Sequence, residues 1–162
     1  MSDISSFDQE AYRIAVASVR RHSMDIATWQ HTVVGELHPG MEALCQLSPD
    51  ELPIASGFFS SESWWAITTR RIASRYKGSS SMLDPRFGIE AEFGNFKGIK
   101  RSEALGVPGT EVATVVSAKG GKPVRFEFET GKASMAPIYA CMFWSRVSKL
   151  PPNPMEPTKD QP

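Results

Sequence analysis

The residues of this chain that are able to do chemistry fall into three groups. The first is cationic. Arg70 and Arg71 follow the run "WWAITT", Arg75 and Lys77 come within the next six positions, and Lys119 and Lys122 flank a Gly-Gly pair. Gathered at one barrel mouth, such groups bind phosphate or carboxylate oxygens through charge-assisted hydrogen bonds. The competing reading is a set of solvated strand ends weakly paired with Glu90, Glu92, Glu127 and Glu129. The second group is a thiol and a base: Cys45 lies seven residues after His38, across a Pro-Gly turn. An imidazole near a thiol raises its nucleophilicity, but "ALCQL" reads as core. No GxSxG, Walker A or GxGxxG motif accompanies it. The third group is His22, His31 and His38, which form no HxxxH or HExxH pattern. The sequence therefore assigns no metal ligands, no cofactor and no catalytic residue.

Trp64 and Trp65 add a recognition element. Neighbours on a strand face opposite sides, so one of the two should enter the core. The other should point outward or lie under the N-terminal helices; exposed, it is a candidate binding anchor.

The totals narrow the function classes. The 162 residues suit one domain with an appended element. An apolar share of 41% supports a core, and 18 basic against 18 acidic residues give zero formal charge. That balance speaks against a nucleic-acid partner and against recruitment to membranes by charge alone. Two distant cysteines make no disulfide framework or metal knuckle, and read as buried thiols. With no basic-then-apolar leader and no apolar run of about 20 residues, the expected location is the cytoplasm.

The elements that must position these groups come in a clear order. Ser6 and Gln9 form a capping box, followed by a stripe of Ala11, Ile14, Ala15 and Val19. Ile26, Trp29, Val33 and Leu37 continue it, predicting one long or two shorter helices up to "LHPG". "MEALCQL" reads as a short helical stretch, and Ser48, Pro49 and Glu51 as a single capped turn. From Ile54 the pattern becomes that of strands: "IASGFFS", then "WWAITTRRIASRY" as one irregular strand, a turn at "GSSS" (78–81), and two short strands in 86–100. "EVATVVSA" and "PVRFEFET" form a hairpin about Gly120 and Gly121, with Val124, Phe126 and Phe128 inward and Arg125, Glu127 and Glu129 outward. Ser134 is the expected cap of a broad apolar helix carrying Met135, Ile138, Cys141, Met142 and Ser145, with Pro137 in its first turn. Residues 150–162, rich in proline, read as a mobile tail. Helices followed by six or seven strands and a closing helix, without βαβ alternation, argue for an antiparallel sheet curled into a partly open barrel.

"WWAITTRRI" resembles the second-strand motif of bacterial pleckstrin-homology-like and GRAM-like domains, and "DELPIASGFFSS" their first strand behind an acidic turn. The resemblance spans about residues 50–149. It implies two roughly orthogonal antiparallel sheets capped by a helix, and a role in binding proteins, peptides or lipid head groups. The expected fold is thus α+β: a PH-like partly open barrel at 50–149, an N-terminal helical extension at 1–49 and the tail. The expected function is non-catalytic recognition of a protein or peptide, as an adaptor or a toxin-neutralising immunity protein, through Trp64, Arg70, Arg71, Arg75, Lys77, Lys119 and Lys122. The alternatives are an anionic-lipid or phospho-ligand module and, further off, a small thiol enzyme. The sequence leaves the oligomeric state open.

Overall fold

The structure, a computed structural model, describes residues 6–94, 96 and 109–147. The fold is α+β. Helix α1 (Ser6–Arg21) is followed by five antiparallel strands: β1 (Thr32–Val34), β2 (Pro53–Ser60), β3 (Ser63–Thr68), β4 (Ile72–Tyr76) and β5 (Ser79–Leu83). They form one sheet in chain order. A second sheet holds β6 (Ile89–Glu92), β7 (Thr110–Ser117) and β8 (Val124–Glu129), and helix α2 (Met135–Val147) closes the chain. The two sheets do not merge into one, so the barrel is partly open.

The main core lies between the two sheets and under both helices. Trp65, Ile67 and Ile72 enter it from the first sheet, Val115, Val124, Phe126 and Phe128 from the second, and Ala136, Ala140 and Trp144 from α2. Each fully buried large side chain of this kind contributes about 1.5–3 kcal/mol relative to exposure. Trp65 stacks on Phe126 with ring centroids 5.3 Å apart. Gly57, opposite it on β2, makes room for the indole: a Cβ there would sit 2.2 Å from its nitrogen. The hairpin of β7 and β8 pairs as its alternation predicted.

Helix α1 belongs to this same core through Ala11, Ala15, Val16 and Val19. The expected stripe member Ile14 is instead 45% exposed. The helix does not run on towards residue 37. Asp25 takes a left-handed conformation, Ile26–Thr28 make a single 3-10 turn, and Thr32, Val33 and Val34 form β1 against β2. Three β-branched residues in a row favour a strand, and the helical spacing of Ile26, Trp29, Val33 and Leu37 was coincidence.

Four further expectations need correction. "MEALCQL" is not a helix: Pro39–Met41 is a 3-10 turn, and residues 37–47 lie across the outer face of the first sheet. "WWAITTRRIASRY" is two strands, not one, because Thr68 folds the chain back. Its Oγ1 accepts the N–H groups of Arg70 and Arg71, and its own N–H donates to the Arg71 carbonyl at 2.9 Å. "GSSS" is not the turn. Lys77 and Gly78, both at positive φ (51° and 77°), make a two-residue turn, and the serines begin β5. Ser134 does not cap α2; its Oγ donates to the Gly131 carbonyl inside a 3-10 turn that leads into the helix. Of the strands expected in 86–100, β6 is present and the second falls largely outside the described residues, as does the 150–162 tail.

Candidate functional site

The seven residues singled out in the sequence do not converge. Arg70 and Arg71 sit in the β3–β4 turn, where both are held by carboxylates. Arg70 donates twice to Asp8 of α1, from Nε at 3.1 Å and Nη2 at 2.9 Å, and lies 3.7 Å from Asp50. Arg71 donates from Nε to Glu51 at 2.8 Å and from Nη2 to the Gln46 carbonyl. Thr69 Oγ1 donates to Asp8, and Thr68 Oγ1 to Glu51. Asp8 and Glu51 are almost entirely buried, at 1% and 4% exposure. Burial pushes the Glu51 carboxyl up, but the bonds from Arg71, Thr68 and the Ser48 N–H outweigh it and hold the group below its ordinary range. Both guanidinium groups are raised, chiefly by their bonds to Asp8 and Glu51. Trp144 Nε1 donates to the Thr68 carbonyl from the other side. This turn is a structural clamp, with its charge spent internally.

The remaining cations are dispersed. Arg75 pairs with Glu62 at 3.0 Å and donates to Ser80 Oγ at 2.9 Å. Lys77 lies 5.4 Å from the ring centre of its neighbour Tyr76. Lys119 covers the Phe87 ring at 3.5 Å. Lys122 faces a notch between the β4–β5 hairpin and β8, together with Arg125. Among the described residues no ion pair joins these cations to Glu90, Glu92, Glu127 or Glu129. Glu127 and Glu129 do other work: β8 crosses the first sheet, and its carbonyls and carboxylates fasten the crossing. Ser74 Oγ donates to the Arg125 carbonyl at 2.6 Å and Ser63 Oγ to Glu127 at 2.8 Å. Glu129 accepts from the Gln30 and His31 N–H groups and from Thr32 Oγ1.

Both tryptophans are buried, but on opposite faces. Trp64 lies on the outer face with Ala66 and Ala73, covered by Met41 and Cys45 rather than by a helix. Its indole N–H has no hydrogen-bond partner. The cover stops short of β5, and beside it opens a groove of about 340 Å³ lined by Leu44, Cys45, Trp64, Arg71, Ala73 and Met82. Met82 is 60% exposed and Leu44 40%. The edge strand β5 forms the groove's rim. A two-residue turn is closed by a pair that exchanges both backbone bonds, here Tyr76 and Ser79. Alternation then points the N–H and C=O groups of Ser80 and Met82 away from β4, off the open edge. Sequence reading missed β5 and Met82 because three serines resemble a loop; the signal was the Lys-Gly pair immediately before them.

No hydrogen bond joins His38 to Cys45. His38 Nδ1 accepts the Gly40 N–H at 3.0 Å, and its ring stacks on Phe58. Burial pushes the Cys45 thiol up despite nearby Arg71, and pushes Cys141 up to about 12. Among the described residues, no three His, Cys, Asp or Glu side chains are placed to hold a metal ion, and no helix is long and apolar enough to cross a membrane.

No family model, curated protein or solved structure matches this chain. The resemblance to pleckstrin-homology-like domains thus rests on the 64–72 motif and the order of elements.

Proposed function

We propose that this chain is a non-catalytic binding protein that recognises a peptide segment of a protein partner, taken up as an extra strand along β5. The observation that carries this reading is the contrast between the two edges of the first sheet. At β1 the edge is three residues long and its approach is capped, since Glu129 occupies the N–H groups of Gln30 and His31. At β5 the edge is five residues long, pairs regularly with β4 and carries no proline, charge or bulge. Exposed edges invite strand addition, and natural sheets usually blunt them. An unblunted edge beside an open apolar groove suits a peptide that gains main-chain hydrogen bonds from the strand and a side-chain anchor from the groove. The anionic-lipid alternative is weakened by the neutralised Arg70 and Arg71. The thiol-enzyme alternative is weakened by the occupied His38 nitrogen and the raised Cys45 thiol.

The test is selection of a random-peptide display library on the full chain. Selected peptides should lose binding to Ser80→Pro, which removes an outward N–H but no backbone bond to β4, and to Met82→Asp. Both variants should keep the native circular dichroism and denaturation midpoint. Peptides that bind both variants as well as the parent chain would sink the proposal.

A further inference from the structure

Beside β5 is a second concavity of about 170 Å³ that shares Ser80 and Ser81 with the groove and is lined further by Tyr76, Ser79, Lys122, Pro123 and Arg125. Its two cations are unlike those of the β3–β4 turn. Neither Lys122 nor Arg125 makes an ion pair or a side-chain hydrogen bond with any described residue. Of the carboxylates near at hand, Glu62, at the adjoining turn, pairs with Arg75, and Glu127, next outward on β8, accepts from Ser63 Oγ and makes an ion pair with neither cation. Lys77, exposed in the turn that bounds the concavity, adds to the positive potential. In a chain of zero net charge, the lining of this notch holds two cations and no carboxylate.

The register of the sheet relates the two concavities. Ser80 and Met82 align with Arg75 and Ala73, and through them with Trp64 and Ala66, so they share the outer face with the groove. Ser79 and Ser81 align with Tyr76 and Ser74, on the face turned towards β8. A strand added to β5 continues this alternation, because side chains on a strand repeat every second residue.

We infer that the bound segment carries an anionic side chain, seated between Lys122 and Arg125, an odd number of residues from the apolar side chain it places in the Trp64–Met82 groove. This rests on the reading of β5 as the docking edge. A carboxylate and a phosphorylated hydroxyl share the required chemistry, several acceptor oxygens facing two cations and serine hydroxyls. The space, nearly six times the roughly 30 Å³ that one water occupies in the liquid, accommodates either.

The display selection tests this through the sequences it returns. Peptides selected on the parent chain should pair an apolar residue with Asp or Glu at odd spacing. Selection on Lys122→Glu/Arg125→Glu should keep the apolar residue and exchange the acid for Lys or Arg. Fluorescence polarisation with one selected peptide should show about tenfold weaker binding, or 1.4 kcal/mol, when its acid becomes the matching amide. The loss should vanish in the double variant. A phosphoserine version of the same peptide separates the two sources: tighter binding than the carboxylate assigns the notch to phosphate, weaker binding to a carboxylate. Peptides that need Ser80 but show no acid at odd spacing overturn this inference and leave the docking edge standing. Peptides indifferent to Ser80→Pro, or sedimentation showing that two copies pair through β5, overturn both.

Discussion

Strand β4 ends in two turns, each rich in cations, that serve opposite purposes. At residues 69–71, Arg70 and Arg71 meet Asp8 and Glu51, two carboxylates with almost no exposure. At Lys77 and Gly78, the turn is exposed, Arg75 pairs with the solvent-facing Glu62, and the notch beyond holds Lys122 and Arg125 without an acid among its lining residues. The same residue type thus fastens the fold at one end of a strand and stays available at the other. What separates them is burial of the partner. A carboxylate withdrawn from water must be matched, whereas an exposed pair gains little from meeting.

The contrast fixes an order of effects. Glu51→Ala should be the most damaging change, costing about 3 kcal/mol, since it leaves Arg71, Thr68 Oγ1 and the Ser48 N–H short of an acceptor. Urea denaturation checks it, and a loss under about 1 kcal/mol would mean the clamp is as dispensable as a surface pair. Thr68→Val should cost about 2 kcal/mol by the same measure, because the hydroxyl both accepts the turn's N–H groups and donates to Glu51.

Acid should weaken the closed turn. The Glu51 carboxyl is held below its ordinary value of 4.5. A lowered folded-state value gives stability that is complete above the unfolded-state value and disappears as pH falls through the folded-state one. The stability gap between the parent chain and Glu51→Gln should therefore be constant above about pH 5.5 and shrink below pH 4.5. A gap that closes near neutrality instead would contradict the assignment.

At the open turn the changes should be slight. Arg75→Ala should alter stability by less than about 0.5 kcal/mol, as an exposed ion pair does. Lys77→Asn should add about 0.5 kcal/mol, because asparagine tolerates the left-handed conformation better than lysine. A loss above 1 kcal/mol at Arg75, read from the shift of the urea midpoint, would show that the two turns are not different in kind.

Much of the fold was legible along the chain, and the legible parts share a cause. The β7–β8 hairpin announced itself because both its strands alternate and Gly120 and Gly121 stand between them. The closing helix did so because its apolar surface is too broad for anything but a core. Both patterns are local. The 26–37 segment misled for the opposite reason, since its helical spacing and its β-branched run conflict, and the open side of β2 settled the matter. Of the candidate site, Trp64 and Lys122 were visible, whereas Met82 and Arg125 were not. Nothing local distinguishes an exposed methionine from a core one, or an unpaired arginine from a paired one.

From its sequence alone, this protein is bound to be an antiparallel α+β fold with an aromatic interior, because periodicity and turn chemistry act over a few residues and need no partner. The tertiary structure decided which charges are spent and which remain. Arg70 meets an acid 62 positions away and Arg71 one 20 positions away, while β8 crosses the sheet to leave Arg125 beside the edge strand β5. Electrostatic pairing depends on distance through space and on withdrawal from water, and neither is written into the order of residues.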